Sequence, residues 1–227
     1  MHSKLGRRMN YTRAIALTFG LVIVTGCAGD MAMKDDGMSH VHIGHVMTGW
    51  KDTPDSMGLL PTAIAEAKVA AQHAGFAASK PEDLGWMKTH IGHILHAVDP
   101  SIEPKGPGLG YGVVKAAGGA EAHVGFAAES NGASDNVKAH AVHVGASTNN
   151  VVTWANIIVR LGKLVQAAET AKQAVPLVKK IQQLAAYMLA GRDRDGDGKV
   201  SWKPGEGGLD AAEQHMGFMT KGEGLTS

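Results

Sequence analysis

Apolar residues recur along this chain at intervals of three and four, and nowhere do they alternate convincingly with period two. The pattern predicts helices and no strands. An alanine-rich stretch from 58 to 80 carries Leu60, Ile64 and Val69 on one stripe. Pro81 is well placed as the first residue of a second helix, which runs to about Val98 and stops near Pro100. Pro104 to Gly112 reads as a loop. A third helix covers about Val113 to Ser130, and Asn131-Gly132 ends it. Ser134 or Asp135 then caps a long fourth helix with Val151, Trp154, Ile157, Ile158, Leu161, Leu164 and Val165 at helical spacing. Pro176 predicts a break or kink, followed by a fifth helix from about Leu177 to Leu189.

Part of this layout is duplicated. Residues 58–98 and 108–148 share twelve identities over 41 positions, where roughly three or four would arise by chance. His-x-Gly-Phe-Ala-Ala occurs at 73–78 and 123–128, and Lys-x-His-x-x-His at 88–93 and 138–143. Each copy reads as one helical hairpin. The expected fold class is therefore all-α: a four-helix bundle from two repeated hairpins, followed by a C-terminal EF-hand-like helix–loop–helix. The domain reading is 1–26 leader, 27–57 tether, 58–170 His-rich bundle, and 171–227 helix plus the calcium-loop segment.

The duplicated residues include the chemistry. His73 is followed 17 residues later by His90 and then by His93; His123 is followed at the same spacing by His140 and His143. In an antiparallel hairpin, residues equidistant from the turn lie level. That brings His73 to His90 and His123 to His140, with His93 and His143 one turn on along the same face. Imidazole is a metal ligand, proton carrier or haem ligand, so the six are candidate metal ligands. His73, His90 and His93 would serve one ion and His123, His140 and His143 another. Alternatively, the hairpins exchange ligands or share one ion. Phe76 and Phe126 are expected in the core, the alternative being walls that keep water from a site. His96 continues the ligand face but has Ala146 as its counterpart, and is expected at the surface, the alternative being an asymmetric extra ligand.

The arrangement resembles the ferritin-like di-metal bundles over about 90 residues, in layout only. There each half supplies a Glu and a Glu-x-x-His, whereas imidazoles stand here throughout. The resemblance implies a ligand site inside the bundle. The imidazoles shift its preference from ferric pairs toward copper, zinc, nickel or ferrous iron. Haem b is the alternative: Ala70, Ala77, Gly118, Gly119, Ala120 and Ala127 make room for a porphyrin, and there is no Cys-x-x-Cys-His for covalent attachment.

Residues 1–26 read as a leader. Lys4, Arg7, Arg8 and Arg13 precede an apolar run from Ala14 to Gly26, of signal length and short for a membrane span. Val24-Thr25-Gly26-Cys27 resembles the lipobox of bacterial lipoproteins, which implies lipidation at Cys27 and an envelope location. Ala28 after it favours the outer membrane, facing the periplasm. Cys27 is the only cysteine, so no internal disulfide forms. Without the leader, 18 Lys+Arg face 21 Asp+Glu, which argues against nucleic acid as a partner. The tether holds Met31, Met33, Met38, Met47, His40, His42 and His45. It reads as a disordered spacer, the alternative being a soft-ligand segment, since it resembles the Met/His-rich stretches of copper-handling proteins. With no thiolate and an oxidising location, copper is the favoured ion.

Near the C-terminus, Asp193-Arg-Asp195-Gly-Asp197-Gly-Lys199-Val200-Ser201 resembles the first nine positions of an EF-hand loop. The resemblance implies calcium bound by Asp193, Asp195, Asp197 and the Lys199 carbonyl. Pro204 stands at the twelfth position, so Glu206 would have to reach the ion through an enlarged loop. No nucleophile triad or phosphate loop is visible. The function classes left are a metal-binding protein with or without redox activity, a b-type haem electron carrier, and a calcium-stabilised envelope protein.

Overall fold

The computed structural model describes residues 36–225. The expected leader, Cys27, Met31 and Met33 lie outside the described residues. Seven α-helices and no strand occur among those described. They are α1 (Asp36–Met47), α2 (Leu59–Ser79), α3 (Leu84–Val98), α4 (Val113–Glu129), α5 (Asp135–Ala167), α6 (Ala171–Ala190) and α7 (Leu209–Gly222), with one 3-10 turn at Pro54–Ser56. No described helix is long and apolar enough to cross a membrane.

The spine is α5, 33 residues and so about 50 Å long. It packs against α3, α4, α6 and α7, while α2 packs against α3, α4 and α6. The faces in contact are small. Helix α2 buries Ala63, Ala67, Ala70, Ala74 and Ala77, and α4 buries Ala116, Ala117, Ala120 and Ala127. Side chains of this size let axes approach at the short end of the helix-packing range. Larger groups fill the rest of the core: Leu59, Leu60, Ile91, Ile94, Ile158, Ile181, Met188 and Leu209 are fully buried. One hydrophobic core takes side chains from all seven helices.

Three local expectations are corrected. Within the stretch read as a tether, Asp36–Met47 is helical and Ile43 and Val46 are buried. Two deeply buried apolar residues, with the polar Ser39 as a third buried position, make too weak a stripe to read from sequence. Pro81 lies in a turn, and α3 starts at Leu84 with Asp83 as its cap, accepting the Trp86 N–H at 2.9 Å. Pro176 does not end a helix. Helix α6 begins earlier, at a Thr170/Gln173 capping box, and runs through the proline. Proline's fixed φ is helical, and burial of Val178, Ile181, Leu184 and Met188 offsets the lost hydrogen bond.

A buried carboxylate sets the α3–α4 connection. Glu66 of α2 is fully buried and accepts the N–H groups of Leu109 (3.2 Å), Tyr111 (2.8 Å) and Gly112 (3.0 Å). Gly108 has φ +123°, and a side chain there would run into the same carboxylate. His96 is also buried, against the surface position expected of it; its Nδ1 lies 2.8 Å from the Glu103 carbonyl of this connection. Glu66→Ala leaves three backbone donors without their acceptor. It is expected to cost about 3 kcal/mol or more, read as a fall in the denaturation midpoint, with Glu66→Gln losing less.

Candidate metal centres

Three clusters of three histidines form on the molecule. They are His42, His45 and His123; His73, His90 and His93; and His140, His143 and His215. In each, one ligand nitrogen per residue lies within 4.8 Å of the others. Each is built the same way: one helix gives a His-x-x-His pair and another gives a single histidine. Pairs come from α1, α3 and α5, singles from α4, α2 and α7 respectively.

Helix geometry explains the construction. Residues three apart share a helix face. The residue after each pair's first histidine is buried (Ile43, Ile91, Ala141), as is the residue after its second (Val46, Ile94, Val144). The rings therefore stand at the edge of the core. Each single histidine opens a His-x-Gly-Phe run in which the x residue is buried: Ala74, Val124 or Met216.

The single histidine's Nδ1 faces both Nδ1 atoms of its pair. The distances are 2.9 and 3.4 Å from His123 to His42 and His45, 2.8 and 3.2 Å from His73 to His90 and His93, and 3.1 and 3.3 Å from His215 to His140 and His143. The rings repeat too. The single ring is tilted 39°, 33° and 38° to the first ring of the pair at centroid distances of 5.1, 5.1 and 5.3 Å. Against the second ring it stands at 78°, 78° and 61°. One Nδ1 carries one proton or one lone pair and cannot satisfy two neighbours well. Three lone pairs directed at one cation resolve this. Metal–imidazole bonds of 2.0–2.1 Å put donors about 3.3–3.6 Å apart, a few tenths of an ångström wider than the spacings found here.

Each cluster lies between two aromatic residues. Phe76, Phe126 and Phe218 each touch the single ring and the first ring of the pair, at 5.2–5.7 Å between centroids. They are 40%, 49% and 47% exposed, so Phe76 and Phe126 take the alternative place, as walls of the clusters, and are not core residues. On another side stand Trp50 (4.7 Å from His45 and His123), Trp86 (4.3 Å from His90) and Trp202 (stacked on His143 at 4.1 Å).

The clusters correct the expected grouping. His73, His90 and His93 meet, but His123 does not join His140 and His143. It meets His42 and His45 of the supposed tether, while His140 and His143 meet His215. The six duplicated histidines therefore belong to three partly exposed clusters, not to one interior site. His42 and His45 were read only as part of the tether and His215 was missed, although the signal was present. His-Ile-Gly-His occurs at both 42–45 and 90–93, and His-x-Gly-Phe occurs a third time at 215–218.

The acidic loop joins α6 to α7. Asp193, Asp195 and Asp197 are exposed, and their carboxylates come within 4.8 Å of one another. Asp193 accepts the N–H groups of Gly196 (2.7 Å) and Gly198 (2.9 Å), and Asp197 accepts that of Lys199 (2.8 Å). Glu206 is buried, and one of its oxygens accepts the Ser201 hydroxyl at 2.6 Å. The Lys203 ammonium, 3.2 Å from Asp195, holds that carboxyl below its usual range. Asn150 of α5 ties the loop down through the Lys203 and Gly207 carbonyls and the Gly205 N–H. The same loop carries Trp202 to the third cluster.

Burial out of water, reinforced by neighbouring positive charge, holds His42, His73, His90, His123 and His143 below the ordinary imidazole value; His215 is lowered to about 4. These rings stay neutral, with lone pairs available, at neutral pH. In the unfolded chain they take up protons near pH 6.5, so the unfolded state binds more protons between that value and the folded one. The metal-free protein should therefore hold its melting temperature above pH 7 and lose it progressively from about pH 6.5 toward 4. His215→Gln should flatten part of that loss in thermal unfolding scans across pH. No family model, curated protein or solved structure matches the chain.

Proposed function

We propose that this protein is a transition-metal-binding lipoprotein of the bacterial cell envelope, with copper the favoured ion and one ion at each of its three trihistidine clusters. The carrying observation is the threefold repetition of one ring geometry on six different helices. Core packing has no reason to set three imidazoles at the same tilt three times. The donor set fits: three imidazole nitrogens, with the single histidine of each cluster lowered in proton affinity, and no carboxylate or thiolate among the described cluster members. Three ligands leave a fourth position open. Storage or transfer of the metal follows from the donor set alone, and a metal-dependent oxidoreductase remains the enzymatic version of the reading.

The envelope location rests on the leader pattern and Cys27, which would anchor the chain in the outer membrane, facing the periplasm. A haem carrier is less well supported. Two imidazole nitrogens bonded at about 2.0–2.1 Å to opposite faces of one haem iron stand about 4 Å apart, and the facing nitrogens here are 2.8–3.4 Å apart. Calcium at Asp193, Asp195 and Asp197, with the Lys199 carbonyl and Glu206, completes the proposal as a structural ion between α6 and α7.

Elemental analysis and an absorption spectrum of copper-loaded Cys27→Ser protein test the main reading. Three equivalents are expected, with His73→Ala, His123→Ala and His215→Ala each removing one. A Soret band on purified protein would replace copper by haem, and calcium alone would leave only a structural role. Calcium addition should also change tryptophan fluorescence through Trp202 and raise the melting temperature. Asp193→Ala should abolish both responses.

A further inference from the structure

The three clusters repeat their ring contacts but differ at the position one turn before each pair's first histidine. Ahead of His90 it is Trp86, whose ring centroid is 4.3 Å from that imidazole. Ahead of His140 it is Asn136, whose amide is committed to the Met219 carbonyl at 3.0 Å and the Glu223 carboxylate at 2.8 Å. Ahead of His42 it is Met38. Residues four apart on a helix are neighbours, about 5–6 Å between Cβ atoms. Helical side chains also lean toward the N-terminus, so His42 leans over the turn that carries Met38. Trp86 shows that this position reaches the first ring of a cluster.

Met38 has no place in the core. It is 49% exposed and is the only methionine among the exposed large apolar side chains of the described residues. Val41, three residues on along the same face, is 45% exposed as well, whereas Ser39 beside Met38 is buried. A thioether on three rotatable bonds adapts readily to a nearby partner, and it accepts no proton that a metal would have to displace.

We infer that Met38 supplies a fourth, thioether donor to the N-terminal cluster, making Met38, His42, His45 and His123 a copper(I)-selective site while the other two clusters remain all-imidazole. This rests on the metal-binding reading above. Soft sulfur favours copper(I) and adds little for zinc, which three imidazoles already suit. The N-terminal cluster thereby differs in ion preference from two centres of the same ring geometry.

The test uses the full chain with His73→Ala and His215→Ala, which leaves the N-terminal cluster complete. Loaded with copper(I), it should show a sulfur scatterer beside nitrogen in X-ray absorption, and Met38→Leu should remove it. Competition with a chromophoric copper(I) chelator should show affinity falling on the order of tenfold in Met38→Leu, with zinc affinity changed less than about twofold. Trp86→Met in a chain carrying His123→Ala and His215→Ala should add a sulfur scatterer at the middle cluster. Copper bound with a nitrogen-only shell and an affinity indifferent to Met38→Leu overturns this inference and leaves the metal-binding reading standing. Absence of copper from the wild-type chain overturns both.

Discussion

Three imidazole nitrogens brought together without a shared proton scheme constrain this molecule at three places. At each, a lone pair or hydrogen of the single histidine must answer two partners about 3 Å away. The rings stand half-buried at the core edge, beside an indole and a phenyl ring, which limits how far water can relieve the crowding. Fuller relief comes from a cation or protonation, and the lowered proton affinity of the single histidines (His73, His123 and His215) favours the cation at neutral pH. The three positions also hold helices together: α1 to α4, α2 to α3, and α5 to α7.

The alanine faces serve the same end. Small side chains on α2 and α4 allow close helix packing, so rings at the edge of one helix meet rings from the next. Glu66 anchors the α3–α4 connection from beneath, and Asn150 anchors the acidic loop on α5. That second anchor gives the loop a double role, since its Trp202 walls the third cluster and the helix that follows it supplies His215. The acidic loop and the third cluster are thus structurally continuous.

Much of this was legible in the chain. The 3.6-residue period marked the helices, and the matched spacings singled out six histidines. What misled was the assumption that a repeat of two hairpins must be closed within itself. The histidines actually alternate along the chain as pair, single, pair, single, pair, single. Only the second and third members, on α2 and α3, are partners through a short turn. Helix α1 was hidden because two buried apolar residues make little pattern. His215 was hidden because α6 and the acidic loop separate it from the duplicated stretch. His96 looked like a continuation of the ligand face, yet it is buried beside the Glu103 carbonyl.

The sequence by itself determined the helical class and the residue types of the donor sets. Both depend on local periodicity and on side-chain chemistry, which are written residue by residue. It also held the repeated His-x-Gly-Phe and His-x-x-His runs from which all three clusters are made. Only the tertiary structure decided which single histidine meets which pair. Three pairs and three singles allow several matchings of equal local quality, and the choice is made by the packing of α1 against α4 and of α7 against α5. Those contacts join residues more than seventy positions apart, a distance over which helical periodicity carries no information.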